Sequence, residues 1–167
     1  MKGHLRLASG SETRASGARS IRVVLADGHA LMRRSLRLLL DGAEEVSVVA
    51  EAADLTTAVR HTREQAPHVL ILGLGMAHGA GLEVTRQIRE EVPRTEIVVL
   101  TMEDVPGFAQ QALEAGAIGF VLKDSADTEL LPAVRRAAHG DEYVSSRLSA
   151  GLEPVGRARR RRGSTMR

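Results

Sequence analysis

The sequence predicts an α/β protein built on a doubly wound parallel sheet. Three observations carry that expectation. Short β-branched runs alternate with amphipathic stretches of helical period five times between residues 21 and 138. Two of the runs, Val69–Leu72 and Ile97–Leu100, are apolar at every position, as strands covered on both faces are. The connections are short, which suits right-handed crossovers between neighbouring parallel strands.

The elements follow in order. Ile21–Ala26 reads as the first strand and ends at Asp27. Leu31, Ser35, Leu36, Leu39 and Leu40 recur at helical spacing, and Asp41-Gly42 stops that helix. Val46–Ala50 is the second strand. Asp54 is placed to cap a helix carrying Leu55, Ala58, Val59 and Thr62, closed by Pro67. Val69–Leu72 is the third strand, followed by a glycine-rich loop over 73–81. Val84, Ile88 and Val92 mark a helix ended by Pro93, and Ile97–Leu100 is the fourth strand. Pro106 suits the first turn of a helix with Ala109, Ala112 and Leu113, ended by Gly116. Ile118–Leu122 is the fifth strand. A last helix is expected from about Thr128 to Ala138, starting late so that Pro132 falls in or near its first turn. The flavodoxin-like order 2-1-3-4-5 fits such a (βα)5 chain, and it sets a site at the carboxyl ends of strands 1 and 3.

Composition removes several functions. The 167 residues include no cysteine, which excludes disulfides, thiolate metal sites and thiol catalysis. No apolar run reaches the ~18 residues of a membrane helix, and residues 1–20 lack the apolar stretch of a secretory signal. Aromatics are 2% of the chain, too few for base-stacking platforms. A cytoplasmic protein is the expectation. The net charge of +2 is unevenly spread. Residues 1–20 hold Lys2, Arg6, Arg14 and Arg19 against Glu12, and 154–167 hold six arginines and no acid. The region between them is therefore acidic. We expect a disordered basic leader over 1–20, a domain over 21–145, and a disordered Arg-rich tail over 146–167.

Four segments resemble one family: VVLADGHALMRRSLRLLL at 23–40, GLGMAHGAGLEVTRQIR at 73–89, VVLTM at 98–102 and QALEAGAIGFVLKDS at 111–125. Together they look like the receiver domain of bacterial two-component response regulators. The subfamily is the one usually followed by a C-terminal helix-turn-helix. The resemblance covers about 21–145, and 111–125 is its most specific part. It implies a phosphorylation switch. An acidic pair after strand 1 and an aspartate after strand 3 bind Mg²⁺, and that aspartate takes a phosphoryl group from a histidine kinase. A hydroxyl after strand 4 and a lysine after strand 5 bind the phosphate, and an aromatic on strand 5 turns inward with the hydroxyl. Phosphoryl transfer needs such grouping because it proceeds by positioning and charge neutralisation.

Carried over by position, the resemblance keeps Asp27, Thr101, Lys123 and the switch aromatic Phe120. The second acid falls on Gly28 and the phosphoacceptor on Gly73, while the usual proline is Ala77. Glycine cannot be a nucleophile, and residues 68–82 contain no Asp or Glu to replace it. Loss of phosphotransfer is expected, with no catalytic residue, and Mg²⁺ binding lost or weak. Asp27 is expected to pair with Lys123, and Thr101 and Phe120 to pack in one position. The GLGMAHGAG loop lacks dinucleotide-binding spacing, and His29 and His78 near the crevice mouth read as loop histidines rather than metal ligands.

The expected function is an atypical receiver in phosphorelay signalling, not an enzyme, acting as a phosphorylation-independent interaction module. Its partners would be proteins, such as a second copy or another response regulator. They would dock through helix 4–strand 5–helix 5 or through helices 1 and 5. The residues after Ser146 show no apolar helical period, so sequence-specific DNA binding is not expected of this chain. The Arg157–Arg167 tail could at most make weak, nonspecific nucleic-acid contacts. The alternatives are a receiver controlled by a small ligand in the emptied crevice, and a truncated remnant of a DNA-binding transcription regulator.

Overall fold

Strands and helices alternate in a computed structural model that describes residues 19–76 and 79–152. The order is β1 (Ile21–Ala26), α1 (Ala30–Asp41), β2 (Val46–Ala52), α2 (Leu55–Gln65), β3 (Val69–Gly73) and α3 (Ala80–Glu91). It continues with β4 (Glu96–Thr101), α4 (Pro106–Glu114), β5 (Gly119–Leu122), α5 (Ala126–Ala138), β6 (Tyr143–Val144) and α6 (Ser146–Ser149). The strands form one parallel sheet in the order β2-β1-β3-β4-β5-β6. This is the expected flavodoxin-like order with one strand added at its end.

Alternation along the strands builds two apolar layers. Val24, Leu70, Leu72, Val99 and Phe120 face one side, where they meet Val59 of α2, Ile88 of α3 and Ala112 of α4. Val23, Leu25, Ile71, Leu100 and Val121 face the other, against Leu36 and Leu40 of α1 and Leu130 and Val134 of α5. Asp54 caps α2 as expected, accepting from the Thr57 N–H at 2.8 Å. Pro106 sits in the first turn of α4, and Gly116 beyond its end takes φ +112°, which favours glycine. No helix among the described residues is long and apolar enough to cross a membrane.

Three expectations need correction. The sheet has a sixth strand, because Tyr143–Val144 pairs with β5. The segment 146–152 belongs to the domain: α6 buries Leu148, and Leu152 packs on the same core. The last helix starts at Ala126, so Pro132 lies inside it rather than near its start. Burial of Leu130, Ala133, Val134 and Ala137 on one face outweighs the hydrogen bond that proline cannot donate. Replacement of Pro132 by alanine is therefore expected to raise stability by about 1–2 kcal/mol, less than the full helix-interior penalty because proline also restrains the unfolded chain. Denaturant unfolding checks this; a loss of stability would mean that the ring's packing outweighs its backbone cost. Of the leader expected over 1–20 and the tail expected over 146–167, residues 1–18 and 153–167 lie outside the described residues, as do Ala77 and His78.

Candidate functional site

Parallel register gathers the site. Ala26 pairs with Leu72, Gly73 with Leu100, and Thr101 with Leu122. Residues that end or follow β1, β3, β4 and β5 therefore share the carboxyl edge of the sheet, where open α/β folds bind ligands. Asp27, Gly73, Thr101 and Lys123 all arrive there, as the sequence predicts.

Asp27 is fully buried, a costly state for a lone carboxylate. One oxygen, Oδ1, accepts the His29 backbone N–H at 2.8 Å. The other, Oδ2, has no well-aligned hydrogen bond but lies 2.6 Å from Nζ of the nearly buried Lys123, which supplies the counter-charge. The Asp27 backbone is held as well: its N–H donates to Ala52 O at 3.1 Å, and Arg33 donates to its carbonyl at 2.7 Å. The expected Asp27–Lys123 pair is thus formed.

Gly73 ends β3 beside this pair. A Cβ built on Gly73 would lie 2.6 Å from Asp27 Oδ2 and 3.0 Å from Asp27 Cγ. Non-bonded carbons and oxygens do not approach so closely, so the Asp27 carboxylate stands in the space that any side chain at 73 would need. Gly28 adds no ligand. Thr101 is buried, and its hydroxyl oxygen accepts the Glu103 N–H at 3.1 Å. Phe120 is fully buried, edge-on to Phe108 with ring centroids 6.3 Å apart. A crevice of about 150 Å³ remains between Leu74, Thr101, Met102, Phe108 and Lys123. The His29 imidazole stands at its rim, exposed, with Nδ1 3.7 Å from Asp27 Oδ1. Among the described residues no group of three or more His, Asp or Glu is placed to hold a metal ion.

Sequence reasoning missed Glu129. On α5 it reads as an ordinary outward acid, and no motif marks it. In the fold it accepts from Ser145 Oγ at 2.6 Å, the Ser146 N–H at 3.1 Å and Tyr143 OH at 3.2 Å. Burial raises its pKa, yet the hydrogen bonds from Ser145, Ser146 and Tyr143 outweigh it and leave the carboxyl below its ordinary range.

An open parallel sheet with an acid after β1, a hydroxyl ending β4 and a lysine after β5 is the architecture of a signal-receiver domain. The comparisons agree. Residues 23–135 match the response regulator receiver domain family. The oxygen regulatory protein NreC of Staphylococcus epidermidis is 40% identical over 133 residues, covering 79% of this chain and 61% of the relative. A LuxR-family two-component response regulator from Aurantimonas sp. SI85-9A1 superposes with a TM-score of 0.74 at 34% identity, covering 78% of this chain and 94% of that one. The isolated receiver domain of RcsB from Salmonella enterica serovar Typhimurium, with the phosphomimetic BeF3-, gives 0.73 at 30% identity, covering 81% and 100%. The chain belongs to the response regulator receiver family of two-component signal transduction. It spans 61% of the length of the curated relatives it matches.

Proposed function

We propose that this receiver works without aspartyl phosphorylation, as a protein-interaction module in two-component signalling. One observation carries the reading: β3 ends in glycine, and the carboxylate of Asp27 fills the space beside it. No nucleophile stands at the acceptor position, and the one buried acid of the crevice is committed to Lys123.

The donor set here differs from what the family's divalent cation needs. Magnesium demands several oxygen ligands in octahedral array. The crevice offers one buried carboxylate, with an ammonium already against its outer oxygen. Gly28 and Gly73 contribute no side-chain oxygen. The residues do not fit the ion.

Without phosphorylation, signalling by this domain would run through partner docking. Leu31 and Leu38 of α1 are 78% and 68% exposed and lie seven residues apart, on one face of the helix. That face suits a protein partner. RcsB, a relative, is known as dimers bound to DNA.

Two measurements test the reading. After incubation with a small-molecule phosphodonor and Mg²⁺, the intact mass is expected to stay unchanged; a stoichiometric phosphoryl adduct would overturn the reading. Mg²⁺ alone is expected to leave the Tm unmoved, because linkage stabilises only above the dissociation constant. A rise of several degrees at ~1 mM would show a working cation site.

A further inference from the structure

β6 and α6 close the side of β5 that a five-stranded sheet would leave open. The Tyr143 N–H donates to Ile118 O at 3.0 Å and the Ser145 N–H to Phe120 O at 2.9 Å. The Leu122 N–H donates to Ser145 Oγ at 3.0 Å, and Ser145 Oγ donates in turn to Glu129. The Glu129 carboxylate thus gathers three donors from one short segment, Tyr143, Ser145 and Ser146. Beyond this latch, α6 lies on the α4 side of the sheet. Leu148 is 1% exposed within that core, and a Cβ on Gly151 would stand 3.2 Å from Pro106 Cγ. Arg147 pairs with Asp124 at 2.9 Å. The segment therefore grips both neighbours of Lys123: Leu122 by a hydrogen bond, Asp124 by an ion pair.

The strand beneath is unsuited to exposure. All four residues of β5, Gly-Phe-Val-Leu, are buried. An apolar edge strand with free N–H and C=O groups is a template for another strand. Two copies with this edge bare would present it to one another as a self-complementary, antiparallel pair, and RcsB, a relative, is known as dimers.

We propose that residues 143–152 form an intramolecular strap, latched by Glu129, which occupies the β5 edge and the α4 surface and bars a second copy of this chain from docking there. The strap removes helix 4–strand 5–helix 5 from the surfaces open to partners while it is closed, and leaves the α1 face available. The inference does not depend on the absence of phosphorylation.

The test uses the full chain and two variants that loosen the strap from different ends. Glu129→Ala removes the latch from α5; Leu148→Ser weakens the anchor in α6. Native-state hydrogen exchange is followed at Ser145 and Leu122, with Val24 and Leu70 as core references, and mass is followed by sedimentation over a concentration series. In the wild type, Ser145 and Leu122 are expected to be protected. In both variants their exchange is expected to quicken by roughly tenfold or more while the core amides keep their rates. Both variants are expected to gain mass at concentrations where the wild type's mass is constant. The proposal fails if Ser145 and Leu122 exchange freely in the wild type. It fails if strap and core amides quicken together in both variants, since the strap is then no separate unit. It also fails if the strap loosens and the mass stays at the wild-type value, since nothing was being barred.

Discussion

Asp27→Asn and Lys123→Met are each expected to lower the unfolding free energy by about 3–5 kcal/mol, with the double substitution costing clearly less than their sum. The reason is burial. Asp27 has no exposed surface and Lys123 very little, and their charges meet at 2.6 Å. Removing either leaves the other desolvated and unpaired, and removing both leaves no charge to compensate. Lys123→Met keeps the chain's bulk while deleting the ammonium, so the cycle reads the pair rather than a cavity. Denaturant unfolding of the four proteins measures it. Costs that simply add would mean two independent groups. The crevice would then be an open polar pocket, and control by a small ligand would become the better reading.

Substitution of Gly73 gives the second large effect. Gly73→Ala is expected to cost about 1–3 kcal/mol, the usual range for forcing volume into a filled site. The new methyl would press on Asp27 Oδ2 and Cγ, and Asp27 cannot yield without leaving Lys123 and the His29 N–H. Gly73→Asp is expected to cost more, because it also sets a second carboxylate against a buried one. The decisive comparison is made in an Asp27→Ala background, where Gly73→Ala is expected to cost little. An equal cost in both backgrounds would mean that something other than Asp27 fills the space. Restoring the metal response requires both missing acids, so Gly28→Asp with Gly73→Asp is the variant in which Mg²⁺ is expected to raise the Tm.

The fold was legible because its central strands are uniformly apolar, as in Val69–Leu72, and its helices end at clear stop signals such as Asp41-Gly42 and Gly116. The site residues were legible because the family resemblance marks them, and parallel register brings the strand ends that carry them together. What escaped the sequence is what tertiary contact decides. Tyr143–Val144 is too short to show a period, and its strand character comes wholly from pairing with β5. α6 is a single turn whose one deeply buried side chain is Leu148. Pro132 argued for a late helix start, and four buried neighbours on its helix overruled it. That Asp27 and Lys123 pair follows from their opposite charges and the shared crevice that the family resemblance implies, once Gly73 offers the lysine no carboxylate. That the carboxylate leans into the space of residue 73 depends on side-chain direction, which no spacing encodes.

The central claim is that the crevice is closed on itself and has lost its response to phosphoryl chemistry. The most direct measurement is the amide spectrum of the full chain with and without beryllium fluoride and Mg²⁺, read at Gly73, Thr101, Phe120 and Lys123. The account predicts that the two spectra superimpose at these residues. Saturable shifts at Thr101 and Lys123, spreading to Phe120, would show that the crevice still binds a phosphoryl mimic and moves in response, and would contradict it.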